Sequence, residues 1–201
     1  MPNFTDLTGL ASMASAAAAS LLLLPGIAQL IKPRLALLLG TVFALMLIPF
    51  SGMPLAAYVR GVTGDLSITT QVLLWCALIK PWFNCGVPDT RSSLALLILI
   101  ALAALVLYPM ALGIGVFDPY RLGYSNPKFV SALLLLTLVA WFWKFQLIAL
   151  CIAFATLAWA IGWYESSNLW DNLIDPFVSI YALATIMIKA MKALLQPPLP
   201  E

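Results

Sequence analysis

Residues 94–112 read LALLILIALAALVLYPMAL and contain no charged side chain. A helix needs about 20 apolar residues to cross the hydrocarbon core of a membrane, with about 17 as the usual lower limit. The chain as a whole is 63% apolar and 9% charged, whereas an ordinary soluble domain is roughly 45–50% apolar and about 25% charged. The sequence therefore predicts a small integral membrane protein.

Similar apolar runs between charged residues divide the rest of the chain. Together they predict an all-α polytopic transmembrane helix bundle of about seven spans, six at the fewest, which forms a single integral-membrane domain over residues 1–201. The first ten residues carry no Lys or Arg, so we interpret the first run as a retained span and not as a cleaved signal. The predicted spans are residues 10–31, 35–49, 67–83, 94–112, 129–143, 145–163 and 176–188.

Two of these boundaries rest on local signals. As one helix, residues 129–163 would be over roughly 50 Å long at 1.5 Å per residue, so we place a turn at Trp143-Lys144-Phe145. Pro25-Gly26 predicts a kink in the first span. We also expect a short interfacial helix at residues 169–174, in the loop before the last span.

The distribution of Lys and Arg predicts the orientation, because cationic loops stay in the cytoplasm. With seven spans, the connections on one side carry most of the basic residues, and the other side carries only Arg60, Arg121 and Lys128. This favours a bacterial-type inner membrane, multi-pass protein with an external amino terminus and a cytoplasmic carboxyl terminus. The predicted cytoplasmic residues are Lys32, Arg34, Lys80, Arg91, Lys144, Lys189 and Lys192.

Several function classes are disfavoured by composition. There is no histidine, which removes the commonest general base and the Ser-His and Cys-His nucleophile pairs. A net charge of +2 is too small for a nucleic-acid surface, so we expect no nucleic-acid partner. The chain has no motif for nucleotide, nicotinamide or metalloprotease chemistry, and we predict no cofactor and no metal site.

Many polar residues in the predicted outer loops have the positions of helix caps. Asp, Asn and Ser are the preferred N-cap residues, and proline is favoured at the first helical position. The residues with this pattern are Asp175 before Pro176, Asn126 before Pro127, Asn168 with Asp171, and Asp65 with Ser67.

Glu165 does not fit a capping role. It follows the end of a predicted span, where the helix dipole disfavours an anion. If it belongs to a site, its candidate partners are Arg60 and Arg121, each of which can clamp a carboxylate or a phosphate. We predict Glu165 as a catalytic base, and Arg60, Tyr120 and Arg121 as substrate-binding residues. A solvated glutamate without a function is the competing interpretation.

The leading hypothesis is a protein that handles a lipid-linked or anionic substrate at its outer face, or that serves as an accessory subunit to a protein that does. The sequence leaves open whether it is an enzyme. Membrane lipid is the expected partner. The alternative is a structural scaffold, in which the Ala/Ser-rich residues 11–19 pack against a helix of a partner protein. A small passive transporter or channel is a third hypothesis. A binding site predicts outer polar groups that converge on one cavity.

Overall fold

The computed structural model describes residues 4–82 and 89–195. It is built of nine α-helices in this part of the chain, and a two-residue hairpin, Pro49–Phe50 with Met53–Pro54, is the sheet within it. The helices are α1 Phe4–Ser20, α2 Lys32–Leu47, α3 Leu55–Thr63, α4 Ile68–Ile79, α5 Thr90–Ala111, α6 Pro127–Phe142, α7 Gln146–Ala160, α8 Leu169–Leu173 and α9 Pro176–Leu195. Three short 3-10 turns are Leu21–Leu23, Ile27–Gln29 and Pro119–Gly123.

The prediction of an all-α chain is correct, but the prediction of about seven spans is wrong. Within the described residues, α5 and α9 are the two helices that are long and apolar enough to cross a membrane. The other apolar segments form shorter helices: α6 has 16 residues and α7 has 15, so each is about 24 Å long or less against a hydrocarbon core of about 30 Å.

The predicted first and third spans show why the apolar runs overestimated the helices. The run at residues 10–31 contains the end of α1 at Ser20 and then two 3-10 turns, with Gly26 in the left-handed region at φ +83°. The run at residues 67–83 contains α4, which ends at Ile79; residues 83–88 lie outside the described part. Apolar composition therefore continues through turns that break the backbone hydrogen bonding.

Helices α5 and α9 have the exposure expected of membrane-facing helices. Buried residues make up 33% of the apolar window of α5 and 17% of that of α9, whereas a core helix of a soluble protein is mostly buried. Large apolar side chains such as Leu102, Leu105 and Ile180 are exposed. A large exposed apolar surface marks a site of contact with a membrane or another protein, and the two helices support association with a membrane.

The two helices run antiparallel. The hydroxyl of Tyr108, near the end of α5, lies 3.4 Å from the hydroxyl of Ser179, near the start of α9. The end of α5 and the beginning of α9 therefore meet at one end of the bundle, and the loops that carry most of the acidic residues gather there.

Two local predictions agree with the structure, and one needs correction. The turn after α6 lies at Trp143-Lys144-Phe145, with Lys144 in the left-handed region at φ +62°. The short helix before the last one is present as α8. Its apolar residues Leu169 and Leu173 are buried against the bundle, so α8 does not present an apolar face to lipid as the predicted interfacial helix would.

Candidate functional site

Arg60 is the centre of a charged cluster at the end of the bundle where α5 ends. It lies in the last turn of α3, which Gly64 ends in the left-handed region at φ +74°. This turn brings Asp65 back to Arg60, where two parallel hydrogen bonds form: Nε to Oδ1 at 2.6 Å and Nη2 to Oδ2 at 2.9 Å. Such bidentate pairs are the stronger ion pairs in proteins. The Asp65 hydrogen bond holds the pKa of Arg60 above its usual value.

Two further carboxylates approach the same guanidinium. Asp6 Oδ1, from α1, lies 3.3 Å from Nη1 of Arg60, and Glu165 Oε1 lies 3.4 Å from Nη2. The Arg60 side chain is 15% exposed. Three carboxylates thus surround one guanidinium, which leaves an excess of negative charge at this position.

Glu165 lies beside Arg60, one of its two candidate partners. The chain leaves α7 through Gly162, in the left-handed region at φ +64°, so Glu165 is beyond the helix end and its dipole. Its side chain is 65% exposed, so its ion pair with Arg60 is screened by solvent. Arg121 is exposed and, in the described part of the chain, belongs neither to the cluster around Arg60 nor to the cavity described below.

Tyr120 is held against α8 by the 3-10 turn Pro119–Gly123. Its hydroxyl donates to the Asp171 carboxylate at 2.9 Å, and its carbonyl oxygen accepts from the Asn168 amide at 3.0 Å. Burial, followed by the hydrogen bond to Asp171, raises the pKa of Tyr120. Tyr120 and Arg121 are neighbours in sequence, but only the tyrosine turns into the site.

A cavity of about 560 Å³ lies between these elements, within the range of about 300–1,000 Å³ typical of small-molecule sites. Its walls come from the end of α5, the start of α9 and three connections: α3 to α4, α5 to α6, and α7 to α9. Four carboxylates line it: Asp65, Glu165, Asp171 and Asp175. The other polar or aromatic lining residues are Tyr108, Tyr120, Tyr164, Ser166 and Trp170. We call it the polar cavity.

The four carboxylates differ in how much of their hydrogen-bonding capacity is already used. Asp171 accepts from the hydroxyls of Tyr120 and Ser166. Asp65 is occupied by Arg60. Glu165 contacts Arg60 at 3.4 Å and is the most exposed of the acidic groups in the ion-pair cluster. Glu165 is therefore the cavity carboxylate best placed to meet a ligand.

Asp175 has a structural role at two helix ends. Its Oδ1 accepts from the backbone N–H of Val178 at 2.9 Å, which caps α9 as the Asp-Pro pattern predicts. Its Oδ2 accepts from the N–H of Ser67 at 2.8 Å and from the hydroxyl of Thr70, both at the start of α4. The side chain of Ser67 itself caps α4. Asp175 thus joins α4 to α9 beneath the cavity.

Other predicted caps are also present. Asn126 accepts from the N–H of Lys128 at 3.0 Å, and Asn168 accepts from the N–H of Trp170 at 2.9 Å. Asp171 does not complete a capping box with Asn168, because its carboxylate is turned to Tyr120 and Ser166. Asp65 does not cap α4, because it is paired with Arg60.

Tyr164 connects the polar cavity to α1. Its hydroxyl is 2.7 Å from the hydroxyl of Ser12, and burial raises the pKa of Tyr164 to about 12. One residue earlier, the carbonyl oxygen of Trp163 accepts a hydrogen bond from the hydroxyl of Thr8. Sequence analysis did not identify Ser12 or Tyr164 as site residues, since this contact joins residues 152 positions apart.

Gly9 is a further site residue that the sequence did not reveal. A β-carbon at this position would lie 2.5 Å from Nε of Arg60 and 2.7 Å from Oδ1 of Asp65. Glycine in a helix interior costs roughly 0.5–1 kcal/mol relative to alanine. A glycine in the interior of α1 is the sequence feature that could have indicated this position. The close approach of the Arg60–Asp65 ion pair explains why no side chain fits there.

Within residues 4–82 and 89–195, no group of three or more acidic or cysteine side chains is arranged to hold a metal ion. The cavity is thus an acidic, aromatic-lined site that offers hydrogen-bond acceptors and phenol groups to a ligand. Comparisons with protein-family models, curated proteins and solved structures find no match to this chain.

Proposed function

We propose that this chain is a membrane protein that binds the polar head of an amphiphilic lipid-like molecule in the polar cavity, and that this head carries an amine or several hydroxyl groups. The observation that carries the proposal is the position of the cavity. Four carboxylates and several aromatic side chains line it where the two membrane-length helices α5 and α9 meet.

The charges of the cavity favour a cationic or hydroxylated head over an anionic one. Arg60 is the guanidinium at the site, and Asp6, Asp65 and Glu165 already surround it. A phosphate would have to displace these carboxylates and enter a region of excess negative charge, where like charges repel. Of the two substrate types considered from the sequence, lipid-linked and anionic, the site supports the lipid-linked one.

The same arrangement suggests an orientation. Because α5 and α9 are antiparallel, Arg91 at the start of α5 lies at the same end as Lys189 and Lys192 of α9, away from the cavity. Basic residues remain on the cytoplasmic side. The proposal therefore places the polar cavity and the amino terminus outside a bacterial inner membrane and the carboxyl terminus inside the cell.

Binding is the activity proposed, and any turnover of the bound molecule would fall to Glu165 as a base. The scaffold alternative has less support, because the small residues of α1 that were candidates for a partner helix, among them Ala14, Ala18 and Ala19, are buried against other parts of this chain.

The proposal is tested by binding measurements in lipid nanodiscs with three probes of equal chain length: decylamine, decyl glucoside and decyl phosphate. We expect the amine and the glucoside to bind more tightly than the phosphate. Glu165→Gln should weaken amine binding about two- to fivefold, as an exposed charge pair is worth roughly 0.2–1 kcal/mol. Asp89→Asn, which removes a carboxylate at the opposite end of α5, is the matched control.

Tighter binding of decyl phosphate than of the other two probes would contradict the proposal. Equal loss of amine binding in Glu165→Gln and Asp89→Asn would contradict it as well, because the effect would then follow total charge and not the cavity.

A further inference from the structure

A second cavity lies between α1, α4 and α7 and has a different chemistry. It has a volume of about 570 Å³ and an almost entirely apolar lining. We propose that this apolar groove holds the hydrocarbon chain of the amphiphile whose head enters the polar cavity. The inference rests on the proposed function, and it adds that the ligand has an extended chain as well as a polar head.

The shape of the groove suits an extended chain. Its α4 wall is one stripe of side chains at helical spacing, which covers all twelve residues of the helix and therefore about 16 Å along its axis. The stripe consists of Ile68, Val72, Trp75 and Ile79. On the opposite wall, α7 contributes residues from Leu150 to Ala158, and Ile161 follows just beyond the end of the helix. The groove is thus a channel parallel to the helices.

The few polar side chains in the groove are already hydrogen-bonded within the protein. The Ser15 hydroxyl donates to Oε1 of Gln71 at 3.0 Å, and Nε2 of Gln71 donates to the carbonyl oxygen of Ser12 at 3.5 Å. These groups have their partners within the protein, so the groove offers little to a polar ligand. The lining offers dispersion contacts and few hydrogen-bonding groups, which match a hydrocarbon chain and not a polar ligand.

The groove and the polar cavity share a wall. Ser12 lines the groove, Tyr164 lines the polar cavity, and their hydroxyls are 2.7 Å apart. Trp163 lines the groove, and Glu165, two residues on, lines the polar cavity. An amphiphile with its head near Glu165 is therefore only two residues along the chain from the groove wall at Trp163.

Photolabelling tests the inference. The probe is decylamine with a diazirine at the end of its chain, added at a low mole fraction to the full-length protein in nanodiscs. We expect labelled residues on α4 and α7, and we expect excess unmodified decylamine to reduce that labelling at least fivefold. Labelling that does not saturate and is not reduced by competitor would show contact with bulk lipid, and would overturn the inference.

Two variants provide a matched comparison. Ala11 is exposed and lines the groove, so Ala11→Phe fills it, while Ala77 is exposed on α4 outside the groove. Ala11→Phe should lower the labelling of α4 and α7 at least fivefold, and Ala77→Phe should leave it unchanged. If Ala11→Phe does not accumulate as a folded protein, Ile161→Trp obstructs the groove at another exposed residue. Equal labelling in the groove variant and the control would overturn the inference.

The groove and head proposals fail separately. If Glu165→Gln leaves decylamine binding unchanged while Ala11→Phe removes labelling, the chain site stands and the head site is wrong. The reverse pattern would overturn the groove and leave the head site. A dimer by light scattering that Ala11→Phe dissociates would assign the groove to a second copy of the chain and also overturn the inference.

Discussion

Asp175 Oδ2 accepts a hydrogen bond from the backbone N–H of Ser67 at 2.8 Å, although 108 residues separate them. The other oxygen of the same carboxylate caps α9 through the N–H of Val178. One side chain, 5% exposed, therefore fixes the starts of α4 and α9 relative to each other. Asp175 also lines the polar cavity, so its replacement should affect both the stability of the fold and ligand binding in the cavity.

Asp175→Ala should lower the free energy of unfolding by about 3 kcal/mol, since it removes the cap of α9 and the buried hydrogen bonds that Ser67 and Thr70 donate to a charged acceptor. Asn126→Ala removes a single cap, at the start of α6, and should cost only about 1 kcal/mol. Thermal unfolding of both variants in the same detergent, followed by circular dichroism, measures the difference. Equal losses would contradict the double role of Asp175.

Gly9→Ala should disrupt the Arg60–Asp65 ion pair, because the added methyl group would lie within 3 Å of both side chains. We expect a loss of stability and weaker decylamine binding, measured by thermal unfolding and by titration in nanodiscs. Gly61→Ala is the control: Gly61 is in α3, and a β-carbon there would meet no atom within 4 Å. It should be neutral or stabilising by up to about 1 kcal/mol. A Gly9→Ala variant that behaves like Gly61→Ala would show that the close approach is unimportant.

The sequence predicted the local features of the site better than the contacts between distant segments. Asp175-Pro176 and Asn126-Pro127 predict helix starts, because capping depends on residues that are neighbours in sequence. Both caps are present in the structure. For Glu165, the sequence limited the candidate partners to Arg60 and Arg121 but could not choose between them. The choice depends on where the fold directs each arginine side chain.

The predicted number of spans is wrong for a physical reason. Apolar composition reports where a chain avoids water, whereas a spanning helix also needs unbroken backbone hydrogen bonds over its length. Pro25-Gly26 was predicted to kink a helix, yet the structure has two 3-10 turns around it and no continuous helix. Gly9 and Ser12 could not be assigned to the site from the sequence, because the residues that they contact are more than fifty positions away.

Tyr164 should make stability fall at alkaline pH. Burial raises the pKa of Tyr164 from about 10 to about 12, so between these values the folded chain keeps a proton that the unfolded chain has lost. Stability is then full below about pH 10 and declines as the pH rises toward 12, by roughly 2–3 kcal/mol at one pKa unit per 1.36 kcal/mol. Chemical unfolding of the wild type and Tyr164→Phe between pH 9 and 12 measures this contribution. Parallel pH profiles would contradict it.

Glu165→Gln should change stability by less than about 1 kcal/mol, because the side chain is 65% exposed and its ion pair with Arg60 is weakened by solvent. Its effect on amine binding should exceed its effect on unfolding. Parallel denaturation and titration of the same preparation compare the two. A loss of stability as large as that of Asp175→Ala would mean that Glu165 is a structural residue, and would remove it from the binding site.

The central claim is that the polar cavity receives the head of a membrane amphiphile. The most direct measurement is a crystal structure of the full-length protein with decylamine that carries bromine at the end of its chain. The account predicts the ammonium nitrogen within about 4 Å of a carboxylate oxygen of Glu165 or Asp171. Bromine should give anomalous density between α4 and α7. An ammonium group bound elsewhere, with the polar cavity empty of ligand, would contradict the claim.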